Sequence, residues 1–175
     1  MVDSNDHPPT GANRLKTLFL GLGSNIGDRE ASLRTALAAL ESKELRLLRT
    51  SSLYETEPVG FRDQAWFLNM VAEFECDLLP AVLLARTQRI EREMGRRKTV
   101  LNGPRIIDID ILLYGTAVIH RPDLVVPHPR YHERLFVLEP LVELAPDLRD
   151  PSTGKPVKEM LSQARRGPDK VLRYS

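Results

Sequence analysis

Asp108 and Asp110 stand two residues apart inside the apolar run IIDIDILL (106–113). A short run of this kind, rich in isoleucine, predicts a strand, and strand side chains alternate between faces. Both carboxylates then share one face, about 6.6 Å apart along the chain at the usual rise per residue. Ile107, Ile109 and Ile111 take the other face. Two carboxylates this close repel each other, and desolvating them without partners costs several kcal/mol each. They call for a cation. A hard divalent ion such as Mg²⁺ suits them, because it prefers oxygen and keeps water and phosphate in its shell. A neighbouring arginine on a solvated strand face suits them equally, and the spacing alone leaves both readings open.

Arginines are close at hand. Arg105 precedes the strand, and Arg96, Arg97 and Lys98 head the polar loop that ends at Pro104. Guanidinium forks match phosphate oxygens, so such a loop can serve a polyphosphate, or it can simply be solvated. Arg89, Arg92 and Arg96 also form a basic stripe along the preceding helix, as an RNA contact would require. Phe67 and Asn69 alternate onto one strand face, where an aromatic ring beside an amide suits a flat heterocycle by stacking and hydrogen bonding. His128, between Pro127 and Pro129, is either a phosphate donor or a turn residue. The segment GLGSNIG (21–27) has the spacing G-x-G-x-x-x-G, one residue longer than the dinucleotide fingerprint. No Lys-Ser/Thr follows it as in a P-loop. It predicts a tight strand-to-helix turn at Gly21, Gly23 and Gly27.

The elements that must position these residues follow from periodicity. Strands are expected at 17–22, 45–54, 67–76 and 106–113, with 117–119 pairing the last of them after a turn at Gly115. Asp28 caps a helix over 29–42, and Pro80 opens a second helix that Gly95 ends. Weaker patterns predict short helices at 132–144 and 155–164. In 67–76, Leu68, Met70, Ala72, Phe74 and Cys76 form a core row, with Phe67, Asn69, Val71, Glu73 and Glu75 opposite. The order β-α-β-β-α-β predicts an α+β, ferredoxin-like core: an antiparallel sheet with both helices on one face.

Composition narrows the function classes. With 25 basic and 24 acidic residues among 175, the chain does not bind nucleic acid by bulk charge. The single cysteine excludes an intrachain disulfide or a Cys-based zinc site. No apolar run reaches the roughly 20 residues of a membrane span. Residues 1–16 are polar, lack a signal-peptide core, and read as a disordered extension before one domain at 17–175. A cytoplasmic protein is the expectation.

The motifs together resemble the 6-hydroxymethyl-7,8-dihydropterin pyrophosphokinases of folate biosynthesis. The signature is Gly103-Pro104-Arg105-Ile106-Ile107-Asp108-Ile109-Asp110-Ile111-Leu112, supported by LGLGSNIGD (20–28), SSLYETEPVG (51–60), FLN (67–69), TQRIE (87–91) and VPHP (126–129). The resemblance spans about residues 17–165. It implies transfer of diphosphate from ATP to the pterin hydroxymethyl group with release of AMP, by a monomer acting on small molecules. It implies that Asp108 and Asp110 hold two Mg²⁺ ions on the ATP phosphates, and that Arg96 and Arg105 are the catalytic arginines. Whether Arg97 or Lys98 supplies a second basic loop residue stays open. By the same resemblance Gln88, Glu91, Ile111, His128 and Arg134 match the nucleotide site. Thr56, Val59, Phe67, Asn69 and Phe136 match the pterin pocket, with Phe67 and Phe136 sandwiching the ring. An RNA-binding module on the basic stripe and a Mg²⁺-dependent phosphohydrolase remain the alternatives that the local motifs allow.

Overall fold

The chain from Lys16 to Ser24 alternates large apolar residues with small ones, and it forms the central strand, β1. Leu18, Leu20 and Leu22 point to one face and are buried. In this computed structural model, residues 15–60, 62–96 and 103–175 are described. Arg97, Lys98 and most of the expected N-terminal extension lie outside the described residues.

Helix α1 (Arg29–Leu40) follows, with the Asp28 carboxylate accepting a hydrogen bond from the Ala31 N–H at 2.9 Å. This side-chain oxygen satisfies one of the donors a helix start leaves open. The expected strand 45–54 is two strands, β2 (Leu45–Thr50) and β3 (Tyr54–Thr56), both paired with β4 (Phe67–Cys76). The break comes from a contact across the sheet. The Ser51 hydroxyl accepts the Val71 N–H at 3.0 Å while the Ser51 N–H donates to the Val71 carbonyl, so a side chain replaces one rung of the ladder. Helix α2 (Pro80–Glu93) starts on a proline that needs no N–H there, and Gly95 closes it at φ 93°. β5 (Asp108–Tyr114) then returns along the free edge of β1.

The resulting sheet runs β5-β1-β4-β3, antiparallel throughout, with β2 beside the other half of β4. A C-terminal strand, β8 (Val171–Arg173), extends it past β3 and had no periodic signal. This is the α+β, ferredoxin-like arrangement expected from the element order. Helices α1 and α2 cover one face, where Leu33, Leu40, Leu83 and Ile90 pack on Leu20, Phe74 and Ile109.

The opposite face is covered in part by α3 (Leu135–Leu144) and α4 (Val157–Ala164), which build a second core around Phe19, Val71 and Leu112. α3 starts three residues later than expected, because Tyr131–Glu133 forms a separate 3-10 turn. The expected pairing of 117–119 with β5 is not made. Instead β6 (Ile119–Arg121) pairs β7 (Leu124–Val126) in its own hairpin. The outer edge of β5 is engaged elsewhere: after a cis Val126–Pro127 bond, the His128 N–H donates to the Leu112 carbonyl at 2.9 Å. Among the described residues no helix is long and apolar enough to cross a membrane.

The second core holds one buried carboxylate, Asp150. Burial pushes its carboxyl up, but hydrogen bonds from the Ser152 and Tyr131 hydroxyls and the Thr153 and Ser152 N–H groups outweigh that and hold it at about 2. A folded value below the ordinary carboxylate one contributes stability above pH ~4, and that contribution is lost as pH falls towards 2. Urea unfolding is therefore expected to show Asp150→Asn less stable than the parent at pH 6, with the gap closing between pH 4 and 2. A pH-independent gap would refute the assignment.

Candidate active site

The face of the sheet left open beyond α3 is floored by residues with little or no side chain. In register, Gly21 lies between Val71 and Asp110, and Gly23 lies between Asn69 and Asp108. Both glycines are inside β1, so the turn expected at them is confined to Gly27, whose φ is 67°. Their role is space. A Cβ on Gly23 would stand 2.5 Å from Asn69 Oδ1, and one on Gly21 would touch Leu112 at 3.4 Å. A side chain at either position would stand in the groove that Asp108, Asp110 and Asn69 line.

The two aspartates have unequal surroundings. Arg96 Nη1 lies 2.9 Å from Asp108 Oδ1 and Arg105 Nη1 lies 2.9 Å from Asp108 Oδ2. Both oxygens of Asp108 are thus neutralised by arginine, as one of the two sequence readings required. Asp110 is not. Among the described residues, the nearest side-chain nitrogens to its Oδ2 are Arg134 Nη1 at 3.7 Å and His128 Nε2 at 3.9 Å, beyond hydrogen-bond distance. Burial, with the Asp108 carboxylate beside it, pushes the Asp110 carboxyl up to about 7. His128 is neutral at that pH, since burial and then the Arg134 charge push it down to about 4. Its Nδ1 accepts the Arg130 N–H at 3.2 Å, so the ring proton sits on Nε2, facing Asp110.

Glu91 holds this end of the site from below. It is 7% exposed, accepts the Ile109 N–H at 2.7 Å, and pairs with Arg96 Nη1 at 2.5 Å. It thereby fixes both the strand between the aspartates and the arginine above them. Of the basic stripe read from the sequence, Arg96 turns inward to Asp108, while Arg89, 3.6 Å from Glu93, and Arg92 stay exposed on α2.

The remaining walls come from four segments. Phe67 and Asn69 stand on β4, Thr56 ends β3, Val59 lies in the loop after it, and Phe136 projects from α3. Asn69 Nδ2 donates to Thr56 Oγ1 at 2.8 Å, which sets the amide orientation. Arg134 lies 5.7 Å from the Phe136 ring centre, within cation–π range. Thr56, Val59, Phe67, Asn69, Arg105, Asp108, Asp110, Arg134 and Phe136 therefore line one cleft. Glu57, inside the 51–60 stretch but assigned no role there, and Arg130, which carried no sequence signal, line it too. Gly21 and Gly23 had one: two glycines two apart in an apolar strand keep one face bare.

Ile111 and His128 line a neighbouring groove with Leu84 and Leu124, and Asp110 sits at the boundary of the two depressions. Gln88 is exposed on α2 and lines neither.

The chain matches the model of the 7,8-dihydro-6-hydroxymethylpterin-pyrophosphokinase (HPPK) family over residues 19–146. It is 49% identical over 137 residues to the 2-amino-4-hydroxy-6-hydroxymethyldihydropteridine pyrophosphokinase of Bacillus subtilis, an alignment covering 78% of this chain and 82% of that one. It is 48% identical over 149 residues to the folic acid synthesis protein fol1 of Schizosaccharomyces pombe, covering 85% of this chain but only 20% of that longer protein. Among solved structures, the wild-type HPPK-DHPS of Plasmodium falciparum superposes with a TM-score of 0.69 at 16% identity, over 88% of this chain and 45% of that one. That likeness concerns the fold. Taken with the sequence matches, it follows that the chain belongs to the 7,8-dihydro-6-hydroxymethylpterin-pyrophosphokinase family.

Proposed function

We propose that residues 17–175 form one domain that transfers the diphosphate of ATP to the hydroxymethyl oxygen of 6-hydroxymethyl-7,8-dihydropterin and releases AMP. The observation that carries this reading is a single cleft with a carboxylate–arginine cluster at one end and an aromatic–amide pocket at the other. In the transfer, the hydroxymethyl oxygen bonds to the β-phosphorus and loses its proton. The bond from that phosphorus to the oxygen bridging the α-phosphorus breaks, and the electron pair leaves with AMP.

The residues divide the work. Phe67 and Phe136 hold the ring, while Asn69 and Thr56 read its edge by hydrogen bonds. Arg96 and Arg105, guanidiniums already at the cleft, take up charge on the phosphate oxygens as the bond to AMP breaks. Gln88, Glu91, Ile111, His128 and Arg134 belong to the nucleotide side, with the neutral His128 offering its Nε2–H as a donor. The chemistry of the donor set fits Mg²⁺. Among the described residues no cation comes within hydrogen-bond distance of Asp110, whose side chain is 32% exposed. Among the described residues no cluster of three or more His, Cys, Asp or Glu could hold a metal. Two carboxylates leave the rest of an octahedral shell to water and phosphate, as Mg²⁺ prefers and zinc does not. Asp108 and Asp110 would hold Mg²⁺ there, and its chemistry would be neutralisation of phosphate charge.

A product assay tests the reading. Incubation with Mg²⁺ and ATP is expected to yield AMP only when the pterin is present, matched by pterin diphosphate. ADP, or AMP formed without pterin, would assign the aspartates to a phosphohydrolase instead.

Gly23→Ala offers a test of the pterin end. The new methyl displaces the Asn69 amide from Thr56, and leaving a buried polar group unpaired costs about 1–3 kcal/mol. The KM for pterin is expected to rise about tenfold or more, with the affinity for a nonhydrolysable ATP analogue unchanged within about threefold. An unaltered pterin KM would remove Asn69 from the pocket.

A further inference from the structure

We propose that a second cavity, which shares the His128 wall with the nucleotide groove, binds a small organic anion with a flat apolar body and one carboxylate, and that its occupant tightens nucleotide binding. The inference rests on the diphosphate-transfer reading above for the role of the groove, and it assigns a site to which that reading gives no part.

The cavity lies between the β6–β7 hairpin, the 127–132 segment, the turn at 150–155 and α4, and it holds about 440 Å³. Small-molecule sites commonly span ~300–1,000 Å³. Val118, Val125, Pro127, Pro129 and Met160 make its apolar lining. Rings pack well on such a surface, the polarizable thioether included. His120, His132, Lys155 and Gln163 supply donors. Lys155 Nζ donates to Gln163 Oε1 at 2.8 Å and makes no ion pair among the described residues. An ammonium carries three donors, so the others are left for a carboxylate. His120 and His132 add ring N–H donors that no described residue takes up. The one carboxylate in the lining, Asp150, is already occupied. Its Oδ1 accepts the N–H and hydroxyl of both Ser152 and Thr153, and its Oδ2 accepts the Tyr131 hydroxyl. At 4% exposure it neither presents a cation site nor pairs with Lys155.

Val125, His128 and Pro129 line this cavity and the nucleotide groove alike. The wall between the two is a single segment thick. An empty cavity lets that wall recede from a bound nucleotide. A filled one holds it, with the His128 Nε2–H kept towards Asp110. An occupant that favours one position of the wall favours any ligand that needs that position, and the coupling is reciprocal.

The experiment titrates benzoate, with benzamide as its neutral isostere, into ¹⁵N-labelled enzyme. The enzyme is first saturated with a nonhydrolysable ATP analogue, Mg²⁺ and the pterin, so that the arginines of the cleft are covered. Benzoate is expected to shift the amide signals of Val118, His120 and Lys155 with a Kd of about 1 mM, and benzamide and inorganic phosphate to bind at least about tenfold more weakly. Two variants remove the site: Lys155→Ala, and Val118→Glu, which sets a carboxylate at a residue 45% exposed on the rim. In both, benzoate affinity should fall about tenfold or more, while kcat without benzoate stays within about twofold. At saturating benzoate the analogue's Kd should tighten about threefold in the parent and stay unchanged in Lys155→Ala. Unmoved amides, benzamide or phosphate binding as well as benzoate, or an unchanged analogue Kd in the parent overturns the proposal. Should one variant fail to fold, the other decides, and undiminished benzoate affinity in it overturns the site. A parent that forms no AMP with pterin refutes the functional reading instead, and the benzoate titration, repeated without either substrate, is read independently of it.

Discussion

Asp110→Asn is expected to lower kcat by about 10³-fold or more, equivalent to about 4 kcal/mol of transition-state stabilisation, while the protein stays folded. Asp110 is the carboxylate of the pair that no arginine among the described residues reaches at hydrogen-bond distance, with Arg134 at 3.7 Å and His128 at 3.9 Å. An amide there offers one neutral oxygen in place of a charged ligand. The same substitution has a second, opposite consequence in the metal-free protein. Burial and then the Asp108 charge raise the Asp110 carboxyl to about 7. The folded state therefore binds more protons than the unfolded state between pH ~4 and ~7, so this group lowers stability as pH rises through that window. In EDTA, Asp110→Asn is expected to melt higher than the parent at pH 8, with the difference vanishing near pH 4. Loss of activity with gain of metal-free stability is the signature of a ligand held in an unfavourable place for function. A variant with full activity, or one that melts lower at pH 8, would remove Asp110 from that role.

Arg105→Ala is expected to cost about 10²–10⁴ in kcat, the range seen when a positioned donor to developing charge is removed. Lysine should not restore it. Arg105 uses its fork at once, Nη1 to Asp108 Oδ2 at 2.9 Å and Nε to the Gly103 carbonyl at 3.3 Å, and an ammonium cannot hold that aim. Stability should change little, because Arg96 still neutralises the other oxygen of Asp108. Steady-state kinetics with thermal melts check both statements. Rescue by Arg105→Lys to within about threefold of the parent would reduce the residue to a point charge.

Asn69 and Phe67 could be read onto one face because β4 is long and strictly alternating. The Asp108–Asp110 pair was legible for the same reason, since a period of two needs only local sequence. The helix ends at Asp28, Pro80 and Gly95 were legible because caps are local chemistry. The break between β2 and β3 was not. It depends on the Ser51 hydroxyl meeting Val71 N–H, a partner 20 residues away. The hairpin β6–β7 is not legible either, because Leu112 O is occupied by His128 and nothing near Gly115 announces that. Gly21 and Gly23 read as a turn because glycine permits one, whereas here they make a bare floor.

By itself, then, the amino-acid order determined the α+β plan, the family, and most of the residues that line the cleft. These depend on alternation, capping and a contiguous signature, all of which act over a few residues. Only the tertiary structure decided how charge is shared: which aspartate is neutralised by arginine, which is left short of partners, and that Glu91 braces Arg96 from beneath. It also decided that Asn25 joins segments 39 and 80 residues away. Electrostatic neutralisation and hydrogen-bond satisfaction depend on distance in space, and sequence spacing carries that distance only within a single helix or strand.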